Sequence, residues 1–406
     1  MRDPGTTLDL YRMRHERVAK VRAEMDRHDV AATYLLTSGN VLYAGGAWMP
    51  AADNGRQALE RTSVLVLRDD PVPHLFTPYP EGAPDGMPAD HVHPPQWHES
   101  AAGVQQLAST LLDHVGSAGA PIAIDDFSAA MWFGLPKLLS PSEITNANPL
   151  LIDCRLHKTA DELECMRRSW RINEAATAAA EQALRPGMRL TDLSAVYFRR
   201  FFELGGTCNF LDPVWQRMPE RTADGPWSTN GDVPFALVTA DHLVSHGDVI
   251  WTDTVSGYEG YASDVGRTWV VGRPSRMLVG LYARWQDITD AVIEAIRPGV
   301  TGTELTRLAI EANGGTKPWL DHYFLAHTLG LEGGEPQRIG SDAGPEYDEQ
   351  FVLEPGMTVV IEPVVWEDGH SGYRCEELLF VTEDGNERVS AYPDEPFASL
   401  RRGLGA

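Results

Sequence analysis

Two stretches of this chain set carboxylates inside runs that are otherwise apolar enough to form buried β-hairpins, and that conflict limits how the chain can fold. The first is Asp253-Thr-Val-Ser-Gly-Tyr-Glu-Gly-Tyr-Ala-Ser-Asp264, with Gly257 and Gly260 flanking a turn. Centred between Tyr258 and Glu259, this hairpin sets Asp253 directly opposite Asp264, both side chains leaving one face about 5 Å apart at Cβ. Two bare carboxylates so placed repel, and the pair requires a proton or a cation. The other reading is that the register slips and the aspartates merely cap the turn. The second stretch covers residues 361–377, where Glu362 and Glu376 are equidistant from Gly369. A glutamate within the apolar run 359–363 is not buried without a partner.

His327 follows Tyr323-Phe-Leu-Ala and precedes Thr-Leu-Gly330. Alone, it reads as a satisfied core histidine. With the four carboxylates it completes a hard, oxygen-rich set suited to two divalent ions such as Mn²⁺ or Fe²⁺ rather than to structural zinc, although Co²⁺ and Zn²⁺ also fit. Two such ions a few Å apart can generate a hydroxide nucleophile and polarise the group it attacks.

The 406 residues correspond to two sizeable domains. An α/β N-terminal domain is expected over 1–154, with a helix over 8–28, buried strands at 32–36, 63–67 and 121–124, and a helix over 101–115. Thr37-Ser38-Gly39-Asn40 lacks the glycines and lysine of a phosphate loop. His91, His93 and His98, among prolines and beside Trp97, read as a surface loop. The second domain, 155–406, opens with a long Ala-rich helix that ends at Arg185-Pro186-Gly187. Thr191 then caps a helix over 192–204. Strands follow near 235–239, 248–254 and 261–271, then a helix over 276–296 and strands near 357–363 and 373–382. Arg297-Pro298-Gly299-Val300 repeats Arg185-Pro186-Gly187-Met188, either as two similar helix–helix–hairpin halves around one site or as a common helix stop used twice. With 34 Lys+Arg against 58 Asp+Glu the net charge is -24, which repels a phosphate backbone and argues against a nucleic-acid partner. Four scattered cysteines, no signal-like leader and no 18-residue apolar run point to a cytoplasmic protein without a membrane partner.

Asp253, Asp264, His327, Glu362 and Glu376 resemble the metal-ligand pattern of the creatinase / methionine aminopeptidase / Xaa-Pro aminopeptidase / prolidase superfamily. The phrasing around them is similar too: Gly260-Tyr261-Ala-Ser-Asp264-Val-Gly-Arg267-Thr268, Glu354-Pro-Gly-Met357, Ile361-Glu362-Pro363 and Arg374-Cys-Glu376-Glu377. The likeness spans about 155–395. It implies an α/β N-terminal domain followed by a pita-bread catalytic domain, and a homodimer. It also implies that Asp253 chelates one ion, that His327 and Glu362 hold the other, and that Asp264 and Glu376 bridge. Glu377 points to the opposite strand face.

Members of this superfamily that cleave peptides carry a second His seven residues after the ligand His, where this chain has Gly334. They carry another 15–20 residues before the first metal Asp, where Pro234, Phe235 and Ala236 stand and His242 and His246 lie too close. The expected activity is therefore hydrolysis of a C–N bond in a small metabolite or short peptide. The proton donor is sought in Glu335, then Glu332, then Tyr323, with His322 beside it. The alternatives are a metal-dependent lyase resembling the dimethylsulfoniopropionate lyase branch, although Thr328 and Trp251 depart from that branch, and a non-catalytic binding protein. Arg267 and Arg374 are expected to tie the two hairpins together, and Trp48, Arg56, Phe210, Trp215 and Trp227 read either as packing pieces near turns, the commoner case, or as an aromatic wall around a small organic ligand.

Overall fold

A computed structural model describes residues 8–49, 61–116, 119–221, 242–319 and 323–396. They form two compact units, one running to Arg155 with Thr159–Asp161, the other comprising Leu156–Lys158 and the chain from Glu162 on. Arg56, Trp227, His322, positions 234–236 and the strand expected at 235–239 lie outside the described residues.

The N-terminal unit contains α1 (Leu10–Arg27), β1 (Ala32–Leu35), α2 (Ser38–Gly45), β2 (Ser63–Leu67), β3 (His74–Phe76), β4 (Val92–His93), α3 (Ala101–Val115), β5 (Ile122–Ile124), α4 (Ala129–Leu138) and β6 (Ile144–Asn146). Its sheet has the order β4-β3-β2-β1-β5-β6. Helix α1 buries Met13, Val18, Val21 and Met25 at helical spacing, and Asp9 caps it by accepting from the Arg12 N–H. Helix α3 turns Val104, Leu107, Ala108 and Leu111 onto Tyr34, Leu65, Ile122 and Ile124. The expected surface loop is not one. His98 is fully buried, its Nε2 2.9 Å from the Tyr34 hydroxyl, and His91 and His93 stand at the sheet edge beside His74. The reason is pairing of β4 with β3, which makes the proline-rich segment an edge strand.

The C-terminal unit follows a helix, α5 (Asn148–Leu156), that leads out of the first. It holds α6 (Ala160–Ala183), α7 (Leu190–Glu203), β7 (Cys208–Asn209), β8 (Val214–Arg217), β9 (Val249–Tyr258), β10 (Tyr261–Val270), α8 (Arg276–Ala295), α9 (Gly302–Ala312), β11 (Ala326–Gly330), β12 (Gly333–Ile339), α10 (Pro345–Gln350), β13 (Thr358–Ile361), β14 (Val364–Glu367), β15 (Ser371–Arg374), β16 (Glu377–Val381) and β17 (Asn386–Arg388). Helix α7 begins one residue before Thr191, with Arg189 as its N-cap residue and Asp192 accepting from the Arg189 N–H, so Thr191 is not the cap. Helix α8 packs Leu281, Trp285, Ile288 and Val292 with Val364, Val365 and Tyr373 of the β14–β15 hairpin. Trp215 stacks on Trp269 in a separate core, a packing role rather than a wall around a ligand.

The repeated Arg-Pro-Gly phrase marks a structural repeat. Gly187 N–H donates to the Val244 carbonyl and Val244 N–H to Met188, while Gly299 donates to Leu353 and Leu353 to Val300. Downstream, Gly247 pairs with Val271 and Val271 with Asp248, as Gly356 pairs with Val381 and Val381 with Met357. Each half therefore ends by feeding one carboxylate hairpin, and Asp253 in the first half is the counterpart of Glu362 in the second.

Candidate metal centre

The β9–β10 hairpin turns through Glu259 and Gly260, both with positive φ (50° and 81°), and Tyr258 pairs with Tyr261. This two-residue turn, of the kind that matches strand twist, shifts the centre one residue from the expected position. Asp253 consequently faces Gly266, and Asp264 faces Val255. The aspartates are diagonal neighbours on one face, not directly opposite, because alternation keeps residues two apart on the same side. Gly257, read as a turn residue, lies inside β9.

In the second half the expected spacing holds. Ile361 pairs with Glu377 in the β13–β16 ladder and Val364 with Arg374 in the β14–β15 ladder. Glu362 and Glu376 occupy the break between these ladders, equidistant from Gly369. His327 lies on β11, paired with Val360 of β13. Its Nε2 is 3.1 Å from Glu362 Oε1 and 3.5 Å from Asp264 Oδ2, while Nδ1 is 2.9 Å from the Thr328 carbonyl. That carbonyl can only accept, so Nδ1 carries a proton and Nε2 faces the carboxylates. One carboxylate oxygen from each of Asp253, Asp264 and Glu376 lies within 4.8 Å of the others.

Arg374 holds the carboxylates from one side. Its Nη2 donates to Glu362 Oε2 at 2.6 Å, to Asp253 Oδ2 at 3.1 Å and to Glu376 Oε1, and its Nε donates to the Tyr323 hydroxyl at 3.2 Å. Tyr323 in turn donates to Glu362 Oε2 at 2.6 Å. Arg267 does the other tying role read from the sequence: its Nη1 donates to the Glu376 carbonyl at 2.7 Å, and Nη2 lies 3.8 Å from Glu377. Glu377 also accepts from Arg388, away from the cluster.

Burial pushes Asp253 up to about 8 against the pull of Arg374, and raises Glu376 well above the carboxylate range. Burial opposes ionisation of Glu362 too, but Arg374 and His327 outweigh it and hold Glu362 near 2. Burial would lower His327; hydrogen bonds to Asp264 and Glu362 instead raise it to about 10.

Asp253 Oδ1, Asp264 Oδ1 and Glu376 Oε2 are buried and accept no hydrogen bond from the described residues. Three carboxylate oxygens left without a donor among the described residues, beside an imidazole, fit divalent cations. Glu335 and Glu332 are not brought to this cluster. Glu335 lies over Gly330, where a Cβ would collide with its Oε1, and 3.9 Å from Lys158 Nζ. Gly330 is three residues from His327, so alternation puts that carboxylate on the other sheet face. Glu332 is exposed at the β11–β12 turn with φ 58°, five residues or roughly 16 Å along the strand from His327. Lys158 and Gly266, both silent in the sequence reading, emerge only from packing.

This fold and cluster define a metal-dependent hydrolase of the pita-bread class, a mixed α/β architecture shared with solved relatives. The prolidase from Pyrococcus horikoshii OT3 superposes with a TM-score of 0.73 at 22% identity, covering 94% of this chain and 99% of that one. Residues 164–383 match Metallopeptidase family M24. "Probable dipeptidase PepE" of Mycobacterium tuberculosis is 34% identical over 286 residues, 68% of this chain and 70% of its own length. A protein named Xaa-Pro dipeptidase, from Pyrococcus furiosus, is 29% identical over 250 residues, 61% of this chain and 67% of its own. The chain belongs to metallopeptidase family M24. Among the described residues no helix is long and apolar enough to cross a membrane.

Proposed function

We propose that this protein hydrolyses the C–N bond of a short peptide or small amide metabolite, using two divalent ions for which Mn²⁺ or Fe²⁺ suits the hard donor set. The observation that carries the reading is the trio of buried carboxylate oxygens, on Asp253, Asp264 and Glu376, that accept from no donor among the described residues. Asp253 would hold one ion, His327 and Glu362 the other, with Asp264 and Glu376 shared between them. Bound there, such ions lower the pKa of water to give a nucleophile at neutral pH and polarise the carbonyl it attacks.

The chain's own residues set this up. Arg374 fixes Asp253, Glu362 and Glu376 in one orientation through a single guanidinium nitrogen. Burial raises the Tyr323 phenol well above its usual range, so Tyr323 keeps its proton and orients Glu362 rather than acting as an acid. Glycine at 334 offers no imidazole to the leaving amine, which favours a substrate unlike that of the usual proline-specific members. Elimination would need a base poised over the cluster. Glu332 and Glu335, the carboxylates considered for that role, lie elsewhere, which leaves hydrolysis, whose nucleophile is water, as the better reading. A silent binding protein would have no use for carboxylate oxygens buried without partners.

The test is an assay of the full-length Mn²⁺-loaded protein against Xaa-Pro and other dipeptides, ectoine and creatine, with detection of amine and olefin. Amine release that stops on chelation supports the reading. An olefin product, or amine release insensitive to chelation, overturns it.

A further inference from the structure

The N-terminal unit gathers a second set of donors that has no part in the chemistry above. His74 on β3, His93 on β4 and His114 in the last turn of α3 each present a ring nitrogen within 4.8 Å of the other two. They are 19 and 21 residues apart in sequence, and pairing of β3 with the short edge strand β4 brings the first two together. His74 Nδ1 lies 3.0 Å from His93 Nε2, and the rings of His74 and His114 meet edge-on at 4.5 Å. Two nitrogens bound to one tetrahedral zinc at about 2.0–2.1 Å stand roughly 3.3 Å apart, so the first contact is already close to ligand spacing.

The surroundings select which nitrogens face inward. His114 Nδ1 is 2.8 Å from the Thr110 carbonyl, which can only accept, so that nitrogen carries the proton and Nε2 the lone pair. The opposite nitrogen of His74, Nε2, lies 3.9 Å from Asp70 Oδ2, a carboxylate on the outer side of the ring within reach of a small side-chain turn. His91 stacks flat on His74 at 4.2 Å, and its own Nδ1 is buried with no hydrogen-bond partner among the described residues. Phe76 covers His93 at 4.8 Å. The last turn of α3 adds the negative end of a helix dipole, which favours a cation.

We propose that His74, His93 and His114 form a mononuclear site for a borderline transition-metal ion of the zinc type, with Asp70 orienting His74. Imidazole donors suit Zn²⁺ and Co²⁺, whereas the carboxylate cluster in the other unit suits harder ions. The ion clips the β3–β4 edge to the end of α3, and it holds this corner of the unit rather than taking part in hydrolysis.

The experiment uses full-length Asp253→Asn/Asp264→Asn protein, in which the carboxylate cluster is disabled. After equilibration with micromolar Zn²⁺ and desalting, one zinc per chain is expected, with a rise in melting temperature. Adding His93→Phe, which keeps the stack on Phe76, or His114→Gln, which keeps a polar group at the helix end, should weaken retention at least tenfold and abolish the thermal shift. Co²⁺ should give the intense visible absorption of a tetrahedral site in the parent and lose it in both variants. Both variants should melt with the zinc-free parent, which separates loss of a ligand from loss of the fold. Failure of the parent to retain zinc, or retention unchanged by both substitutions, overturns the proposal.

Discussion

A Cβ on Gly266 would stand 2.8 Å from Cδ of Glu376 and 2.7 Å from Nη1 of Arg374. Gly266 faces Asp253 across the β9–β10 ladder, so the absent side chain is the space into which the second hairpin inserts its carboxylate and guanidinium. In the repeat that relates the two hairpins, Gly266 stands where the second half has Glu376, and Asp264 where it has Arg374. Each half therefore leaves room for what the other supplies.

Gly266→Ala should accordingly displace Glu376 and Arg374 without unfolding the sheet. Overpacking at a site this tight costs about 1–3 kcal/mol. Metal affinity is expected to fall at least tenfold, read by titration of the metal-free protein. Unchanged affinity would mean that the neighbours move aside without loss.

Arg374→Ala should be far more damaging to the metal-free protein than to the loaded one. Removing one partner of a buried ion pair costs about 3–5 kcal/mol because the remaining charge is stranded, and here three carboxylates share that partner. Bound cations would supply the missing positive charge. The gap in melting temperature between loaded and metal-free protein is expected to widen relative to wild type.

Tyr323→Phe and Glu335→Gln separate the groups near the cluster from those on the other sheet face. Tyr323→Phe removes the donor to Glu362 Oε2 and should lower turnover roughly tenfold with metal retained, since a hydrogen bond to a charged group contributes about 1.5–3 kcal/mol. Glu335→Gln should lower stability, through its contact with Lys158, and leave the pH–rate profile unmoved. A lost limb in that profile would restore Glu335 as the proton donor.

His98 is fully buried, and burial, aided by Arg61, holds its ring at about 3. The unfolded chain takes up a proton near 6.5 while the folded one does not, so stability is complete above that pH and falls as the pH drops toward 3. The slope for this one group is up to about 1.4 kcal/mol per pH unit. Urea titrations between pH 7 and 4.5 should show it, and His98→Asn should flatten it.

Most of the carboxylate cluster was legible because its residues violate the pattern around them: a Glu in Val359-Val360-Ile361-Glu362 has no apolar explanation. The Gly369 spacing succeeded since the two ladders that flank Glu362 and Glu376 keep one register through the break. The Asp253–Asp264 register failed by one residue because Glu259, not only glycine, adopts positive φ in the turn. Glu335 looked well placed in sequence, but the irregular pairing between His327 and Leu329 turns its segment toward Lys158. The histidine cluster was illegible for a different reason. Its members come from two strands and a helix end, and only sheet pairing makes neighbours of them.

Metal content measured alongside turnover tests the dinuclear hydrolase most directly. In a His93→Phe background, which removes the histidine site, the protein equilibrated with Mn²⁺ should retain two ions per chain and release amine from a C–N substrate. Asp264→Asn should lose both ions and the activity together. Retention of no ion by the parent, or hydrolysis that persists in Asp264→Asn after its metal is gone, would contradict it.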